Sequence, residues 1–385
     1  MRADLGVGMK GLSAALAAVA VLGLAASGSK EEGATKIGHA GPLTGSIAHL
    51  GKDNENGVRL ALDEANAAGV EIGGKKAKFE LLSEDDQADP KQGTIVAQKL
   101  VDAKVAGVIG HLNSGTTIPA SKLYHDANIP QISPSATNVT YTHQGFKTAF
   151  RVMANDAQQG KVLGEFAVNK LGAKNIAIID DRSAYGQGLA DEFEKAAKAA
   201  GATIVTREFT DTTKTDFTAI LTSIKGKNPD LIFYGGMDAQ AGPMMKQIKN
   251  LGLTAKYLSG DGTQTAEFLK LAADAAEGAY ASSPGVPLDK MPGGTAFADK
   301  YKAKFNQEIQ LYAPYAYDAA NVMIEAMKKA GSTDPAKYLP VLAGITYQGV
   351  TGNIAFDDKG DIKGGSISLY QVKNGKWEYI ETIGG

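Results

Sequence analysis

Short apolar, β-branched runs alternate through most of this chain with longer stretches that have helical periodicity. Intervening stretches such as residues 60–69 and 191–201 place apolar residues at helical spacing and end on glycine. This alternation predicts parallel sheets with helices on both faces. Ten strand candidates precede residue 285, which is too many for one sheet of usual size and indicates two. The candidates are residues 35–41, 77–83, 105–112, 130–135, 149–153, 175–181, 203–209, 230–236, 256–261 and 278–284.

The pattern of strands and helices starts again near Asp156, where a helical stretch leads into a second strand–helix series. We therefore predict an α/β fold of two Rossmann-like lobes, each a parallel sheet flanked by helices. Lobe 1 is expected to comprise residues 36–154 and 284–364. Lobe 2 is expected to comprise residues 155–283 and 365–385, which include a C-terminal hairpin. Since no low-complexity linker separates the halves, we expect a hinge of crossing strands between the lobes.

The first residues of the chain have the pattern of an export signal. Lys10 precedes an apolar, alanine-rich run at about 12–26, and small residues and then charges follow. This order is typical of a secretory signal peptide with cleavage near Ser27 or Gly28. The alternative is a membrane anchor, but a spanning helix needs about 20 apolar residues and this run is shorter. We expect residues 1–28 to be removed and the mature protein to be periplasmic.

The composition argues against several classes of function. The 40 basic and 42 acidic residues nearly cancel without a long run of like charge, so we expect no nucleic-acid partner. The chain contains no cysteine, which excludes disulfides, thiolate metal sites and cysteine nucleophiles. Its five histidines share no metal-ligand spacing, and neither HExxH nor GxSxG occurs. We therefore expect no metal, no cofactor and no catalytic residue.

Two glycine-rich segments resemble nucleotide-binding loops only in part. In GPLTGSIAHLGKD, five residues separate Gly45 from Gly51, and Asp53 stands where a phosphate loop needs serine or threonine. In AYGQGLAD, Asp191 occupies the third glycine position of a dinucleotide fingerprint, and Tyr185 sits where a pyrophosphate needs space. A Rossmann-like enzyme is therefore the least favoured alternative.

Polar, small-residue loops follow six of the predicted strands. Ligands of open α/β sheets bind at the carboxyl ends of the strands, so loops from two lobes predict a site in the cleft between them. The loops offer hydroxyls, backbone N–H groups and carboxylates, but no paired base and nucleophile. These groups predict that the site binds a small polar ligand and performs no reaction on it. The alternative is that the loops are simple turns. The six loops are residues 41–51, 110–119, 132–138, 180–188, 234–242 and 259–265.

Several segments together carry a resemblance to a known family. The sequence resembles the leucine/isoleucine/valine receptors of bacterial ABC importers, which have the type I periplasmic binding fold. The resemblance implies an amino acid ligand and an inner-membrane permease as partner, and we expect a monomer. A sensory receptor for amino acids or amides with the same fold remains an alternative. The segments that carry the resemblance are residues 85–101, 110–138, 150–160, 180–193, 215–236 and 274–280.

The resemblance implies where the carboxylate of the ligand binds. The positions that match the carboxylate-binding residues of the family are Ser114, Ser135, Ala136 and Thr137. We expect a helix to begin here with Pro119 in its first turn, so that free N–H groups and the helix dipole face the carboxylate.

The resemblance also implies an acid for the ligand's ammonium group. Asp261 matches that position, where relatives often carry glutamate, and Tyr185 matches an aromatic residue that covers the ligand. Glycines flank Asp261, which suits a backbone that approaches a ligand closely; the alternative is that Asp261 only caps the following helix. Asp238 either adds a second acid near the ammonium or caps its own helix.

Two further positions depart from the pattern of the family. Met237 replaces a tyrosine of the second lobe, and Leu50 stands where some relatives have a tryptophan at the cleft edge. Together with the Tyr185 ring they predict a partly apolar lining and hence a branched-chain or other aliphatic amino acid, although methionine adapts to many shapes.

Overall fold

The structure, a computed structural model, describes residues 33–385, and the predicted signal peptide at residues 1–28 lies outside them. Five of the first seven strands form a parallel sheet in the order β4-β1-β5-β6-β7, while β2 and β3 form a separate hairpin. These strands are β1 (Thr35–Gly41), β2 (Glu71–Ile72), β3 (Lys75–Lys76), β4 (Phe79–Asp85), β5 (Gly107–Gly110), β6 (Gln131–Ser133) and β7 (Ala149–Arg151).

The remaining strands form a seven-stranded second sheet and a small hairpin. They are β8 (Asn175–Asp180), β9 (Thr203–Phe209), β10 (Leu231–Gly235), β11 (Lys256–Ser259), β12 (Tyr280–Pro284), β13 (Thr346–Gln348), β14 (Asn353–Ala355), β15 (Ser366–Lys373) and β16 (Lys376–Gly384). The order of the second sheet is β16-β15-β12-β11-β10-β8-β9, and β13 pairs with β14. Its first five strands in sequence, β8 to β12, are parallel.

The predicted C-terminal hairpin is present and adds two antiparallel strands to the otherwise parallel second sheet. β15 pairs antiparallel with both β12 and β16. Only Asn374 and Gly375 connect β15 to β16, and both have positive φ, of 53° and 72°. A two-residue Asn-Gly turn of this kind joins antiparallel strands, because a parallel pair needs a long crossover.

Twelve α-helices connect and cover the two sheets in the described part of the chain. None of them has both the length and the apolar character that a membrane-crossing helix needs. They are α1 (Ala48–Ala68), α2 (Pro90–Asp102), α3 (Ser114–Asp126), α4 (Thr140–His143), α5 (Asp156–Glu165), α6 (Ala184–Ala199), α7 (Thr218–Gly226), α8 (Asp238–Asn250), α9 (Ala266–Ala272), α10 (Gly294–Phe305), α11 (Ala313–Ala330) and α12 (Pro335–Ala343).

The predicted fold class is confirmed. All ten strands expected before residue 285 are present within a few residues of their predicted bounds. Every residue of β5, β6, β7 and β10 is buried, as expected for parallel strands with helices on both faces. The chain passes between the two sheets three times, after β7, after β12 and before β15.

Helices α1 and α11 belong to the side of the first sheet, and α5 and α6 to the side of the second. α1 contacts β1 and β4, and α11 packs along α1 and reaches β5 and β6. α5 contacts β12 and β15, and α6 contacts β8 and β10. The loops that carry the candidate site therefore start from two separate layers of helix on sheet.

Two glycines bring α5 and α6 into close contact. A Cβ atom at Gly160 would lie 2.5 Å from the Cβ of Glu192, and one at Gly164 would lie 2.6 Å from the Cβ of Ala196. Side chains at these positions would force the helices apart, because packed interiors leave no room for an added methyl group.

Candidate functional site

Asp261 lies two residues beyond the end of β11, at the carboxyl edge of the second sheet. It is 1% exposed. One carboxylate oxygen accepts hydrogen bonds from the Tyr185 hydroxyl at 2.8 Å and from the Gln159 amide at 2.9 Å. The other oxygen accepts a hydrogen bond from the Tyr312 hydroxyl at 2.6 Å. Asp261 is therefore the centre of a buried polar cluster with three uncharged donors.

The protonation states of this cluster favour a cationic partner. Burial raises the pKa of the Asp261 carboxyl, although the hydrogen bonds from Tyr312, Gln159 and Tyr185 oppose that rise. Burial and the charge of Asp261 raise the pKa of both tyrosine hydroxyls well above its usual value, so they stay protonated and donate. Neutral donors stabilise a carboxylate without cancelling its charge, and a buried carboxylate favours a cation beside it.

Gly260 and Gly262 let the ring of Tyr185 lie against the backbone on both sides of Asp261. A Cβ atom at Gly260 would lie 2.8 Å from the Tyr185 hydroxyl oxygen, and one at Gly262 would lie 3.0 Å from Cε1 of the ring. The Tyr185 hydroxyl also accepts a hydrogen bond from the N–H of Gly262 at 3.1 Å. Tyr185 makes the close approach at both glycines, and the approach of a ligand to this backbone stays a prediction.

A second buried carboxyl, that of Asp156, lies beside Asp261. Asp156 is the first residue of α5, and the side chain of Asn155 caps that helix. The Gln159 amide nitrogen bonds an oxygen of Asp156 at 3.3 Å and one of Asp261 at 2.9 Å. Burial, followed by the negative charge of Asp261, raises the pKa of Asp156 to about 7. Two acids that share one donor bind a cation between them or hold a proton.

The four residues predicted to bind a carboxylate lie at the carboxyl edge of the first sheet, and all are buried: Ser114, Ser135, Ala136 and Thr137. Protein partners already engage several of their polar groups. The Ser135 hydroxyl accepts a hydrogen bond from Asn54 at 3.1 Å and donates one to the carbonyl of Leu112 at 3.2 Å. The carbonyl of Thr137 accepts a hydrogen bond from the N–H of Asp156 at 2.8 Å. This bond joins the polar loop of the first sheet to the acid cluster of the second.

Arg151 supports that loop. Its fully buried guanidinium donates to the carbonyls of Ala136 and Asn138, both at 2.9 Å. Its other nitrogens bond the carboxylate of Asp361 at 2.6 Å and the hydroxyl of Thr142 at 2.7 Å. Burial alone would raise the pKa of the Asp361 carboxyl, but the charge and hydrogen bonds of Arg151 bring it below its usual value. A buried ion pair therefore fixes the backbone from Ala136 to Asn138.

The start of α3 differs from the prediction. The helix begins at Ser114, so Pro119 lies in its second turn, and the prediction of a first-turn proline is wrong. Asn113 sets the start: it is extended, with φ −77° and ψ 140°, and its carbonyl accepts the N–H groups of Thr116 and Thr117. Ser114 is thus the first helical residue, where backbone N–H groups and the dipole favour an anion.

The two capping alternatives are wrong. The side chain of Thr265, and not that of Asp261, caps α9 by accepting the N–H of Phe268 at 3.0 Å. Met237 precedes α8 without a side-chain cap, and the buried Asp238 carboxylate instead bonds His49 at 2.8 Å and the Thr265 hydroxyl at 2.7 Å. Asp238 therefore joins α1 to the start of α8.

Tyr185, Met237 and Leu50, the predicted lining, all belong to the main apolar core. Met237 and Tyr185 meet at Gly262, where a Cβ atom would lie 2.8 Å from the Met237 sulfur. Leu50 is fully buried in the first turn of α1. Contact of these three side chains with a ligand stays a prediction.

Sequence reasoning missed three residues of the cluster around Asp261, and it missed His49, the partner of Asp238. Asp156 and Gln159 stand one turn apart at the start of a helix that follows a strand, a signal that was available within the segment DAQQG. Tyr312 and His49 gave no local signal, because their partners Asp261 and Asp238 are distant in sequence. Within residues 33–385, no group of three or more histidine, aspartate or glutamate side chains is placed to hold a metal ion.

Comparisons with known proteins point to one family. The family model described as "Periplasmic binding protein" matches residues 34–376. A Pseudomonas aeruginosa relative, the leucine-, isoleucine-, valine-, threonine-, and alanine-binding protein, is 34% identical over 364 residues, covering 94% of this chain and 96% of its own.

Solved structures agree with the sequence matches. The branched-chain amino acid transporter substrate binding protein LivJ from Streptococcus pneumoniae, in complex with isoleucine, has a TM-score of 0.83 and 32% identity, covering 92% of this chain and 100% of its own. The leucine binding protein LivK from Thermotoga maritima has a TM-score of 0.84 and 27% identity, covering 91% and 98%.

Proposed function

This chain belongs to the periplasmic binding protein family, and from this premise we propose that it is the amino acid receptor of an ABC importer. The observation that carries the proposal is the direct contact between two kinds of site. The backbone N–H of Asp156 bonds the carbonyl of Thr137 in the polar loop of the first sheet, and the Gln159 amide links Asp156 to Asp261. An α-amino acid carries one ammonium and one carboxylate, and it needs both kinds of site. Relatives that bind leucine or isoleucine support the choice of ligand class.

The carboxylate of the amino acid is proposed to bind at the first sheet. Ser114 stands at the start of α3, where the helix dipole favours an anion. The loop that Arg151 supports through the carbonyl of Ala136 consists of Ser135, Ala136 and Thr137. The Ser114 hydroxyl oxygen accepts the N–H of Asn138 at 3.2 Å.

The ammonium is proposed to bind at Asp261, with Asp156 beside it. A cation there offsets the charge of Asp261, which burial makes costly. It also lowers the pKa of Asp156, because a nearby positive charge favours the ionised carboxylate. The aliphatic side chain of the ligand is proposed to contact Tyr185, Met237 and Leu50.

Closure of two lobes is proposed to complete the site. Lobe 1 comprises residues 36–154 and 284–364, and lobe 2 comprises residues 155–283 and 365–385. The hydrogen bonds that join the two sides of the proposed cleft include those from Tyr312 to Asp261 at 2.6 Å, from Asn138 to the carbonyl of Ala184 at 2.6 Å, and between His49 and Asp238 at 2.8 Å. The three strand crossings between the sheets serve as the hinge.

A thermal-shift screen against the amino acids and simple amides tests the proposal. Leucine, isoleucine or valine is expected to give the largest shift, since a ligand at about 100 times its Kd stabilises the folded protein by roughly 2.7 kcal/mol. At saturation, X-ray scattering is expected to show a smaller radius of gyration than without ligand. Serine or aspartate outcompeting leucine would contradict the aliphatic pocket, and an unchanged radius would contradict closure.

The His49–Asp238 contact predicts a pH-dependent contribution to affinity. Burial alone would lower the pKa of His49, but the hydrogen bond and charge of Asp238, and then the charges of Glu267 and Asp53, raise it. A raised histidine pKa stabilises the closed form most below the free value of about 6.5, and this contribution is lost as pH rises through the raised value. The histidine is partly exposed, so we expect a factor of about two to five.

The measurement is the ratio of parent affinity to His49→Gln affinity at each pH, by calorimetry. The ratio is expected to fall between pH 6 and pH 8.5. The ratio is used because Asp156, whose pKa is about 7, ionises over the same pH range and strengthens ammonium binding as pH rises. This effect is present in both proteins and therefore cancels in the ratio. His125→Gln, which changes a histidine stacked on Phe146 away from this contact, serves as the control. A ratio that is flat for His49→Gln would refute this role.

The remaining assignments extend the same proposal. We propose that removal of residues 1–28 releases the protein into the periplasm as a monomer and that an inner-membrane permease binds its closed form. We propose further that it performs no reaction on its ligand and needs no cofactor, because its site is built from hydrogen-bond donors and acids without a nucleophile–base pair.

A further inference from the structure

Asp53 is a fully buried carboxylate on α1 whose two oxygens are surrounded by N–H groups from a distant segment. It lies in the glycine-rich stretch that fails as a phosphate loop. One oxygen accepts the N–H of Gln310 at 3.0 Å and the hydroxyl of Tyr301 at 3.1 Å. The other accepts three consecutive N–H groups, those of Leu311, Tyr312 and Ala313, at 2.8–2.9 Å. The carboxylate therefore fixes the backbone of residues 310–313.

This segment ends where α11 begins. Two of the four N–H groups, those of Tyr312 and Ala313, belong to the helix start, where N–H groups lack intrahelical partners and a negative charge is favourable. Gly57, one turn after Asp53 on α1, adds a second constraint: a Cβ atom there would lie 2.4 Å from the carbonyl oxygen of Ala313. Asp53 binds the segment and Gly57 lets it lie directly against α1.

Tyr312 is the residue whose position this arrangement fixes. Its backbone N–H bonds Asp53 at 2.8 Å, and its hydroxyl bonds Asp261 at 2.6 Å. The two acids are on opposite sides of the proposed cleft: Asp53 on α1, beside the first sheet, and Asp261 beyond β11 of the second. A phenol ring is rigid, so a fixed backbone at Tyr312 fixes the position of its hydroxyl.

We propose that Asp53 is a positioning residue that holds the Tyr312 hydroxyl against Asp261 and so preorganises the acid that receives the ligand's ammonium. This role rests on the proposed amino acid receptor function. Preorganisation raises affinity because the ordering of the site is complete before the ligand arrives. Asparagine at position 53 places an amide NH₂ among N–H donors, which removes acceptor capacity without a large change in volume.

The test is a double-mutant cycle on leucine affinity with Asp53→Asn and Tyr312→Phe. We expect Asp53→Asn to weaken binding by about tenfold, equivalent to about 1.4 kcal/mol. We expect the double variant to bind no more weakly than the worse single variant, because both changes remove the same contact. Asp63→Asn, the same substitution at an exposed position of α1, is the matched control and is expected to bind like the parent. Additive losses, or Asp53→Asn within about twofold of the parent, would overturn the proposal.

A measurement without ligand separates this role from the receptor function and from loss of stability. Carboxyl ¹³C NMR titration of Asp261 is expected to show a higher pKa in Tyr312→Phe, which removes a donor that opposes the rise, and a similar increase in Asp53→Asn. If the parent binds no amino acid, the receptor proposal fails while this titration still decides the positioning role. If the Asp261 pKa moves in Tyr312→Phe but not in Asp53→Asn, the positioning role is wrong even where the amino acid binds.

Discussion

Replacing Asp261 by asparagine is expected to weaken amino acid binding by roughly 30-fold or more. In the proposed complex the change leaves the ligand's ammonium without its charged partner in a closed site, and an unpaired buried charge typically costs about 2–5 kcal/mol of binding. The ligand-free protein should melt at nearly the same temperature. The parent carboxylate is itself costly to bury, which is why its pKa is raised, so removing the charge offsets the weaker hydrogen bonds to Tyr185 and Tyr312.

Two further variants sharpen that measurement. Asp261→Glu keeps the charge and is expected to be milder. Asp274→Asn makes the same substitution in an exposed turn after α9 and should leave the affinity unchanged. Calorimetry that gives Asp261→Asn an affinity within about threefold of the parent would show that the ammonium is held elsewhere, with Asp156 and Asp238 the next candidates.

Replacing Arg151 by methionine is expected to lower the free energy of unfolding by about 3–5 kcal/mol, the usual loss when one partner of a buried ion pair is removed. The methionine fills most of the volume, but Asp361 loses its charged partner and the carbonyls of Ala136 and Asn138 lose their donors. Urea unfolding followed by circular dichroism measures this change. Because these carbonyls belong to the proposed carboxylate loop, ligand affinity should fall as well.

Arg59→Met is the matched control for Arg151. Arg59 lies on the surface of α1 in an i,i+4 pair with Glu55, and its loss should cost at most about 1 kcal/mol. The lowered pKa of Asp361 also gives the effect a pH signature. The contribution is present above the unfolded pKa of about 4 and is lost as pH falls below it, so the gap between parent and Arg151→Met should narrow in acid. A gap that is the same at pH 3 and pH 7 would contradict the ion-pair origin.

The layers of the fold could be predicted from the sequence because the signals of strands and helices are local. A run of apolar residues predicts a buried strand, and all ten expected strands are present. Asp261 was identified from the resemblance to the receptor family, and its place after such a strand and its glycine neighbours agreed with that choice; the structure makes it the centre of a buried cluster.

The remaining features depend on contacts that no local pattern encodes. Tyr312 precedes a helix and follows no strand, yet its hydroxyl reaches Asp261 51 residues away. Asp53 was judged only by its fit to a phosphate loop, while its partners lie 248–260 residues further along the chain. The start of α3 was misplaced because the proline was given more weight than Asn113, whose extended backbone and accepting carbonyl end the preceding loop.

The close contact between α5 and α6 has a consequence for anyone who wishes to redesign the ligand preference. One carboxylate oxygen of Asp261 accepts hydrogen bonds from both Gln159 of α5 and Tyr185 of α6. Their spacing therefore depends on Gly160 and Gly164, which face α6 and would be left out of any library restricted to the predicted lining residues. Substitutions of the predicted lining residues alone would change the shape of the pocket but not the distance between α5 and α6. A wider site around Asp261 would also require a redesigned contact between these two helices.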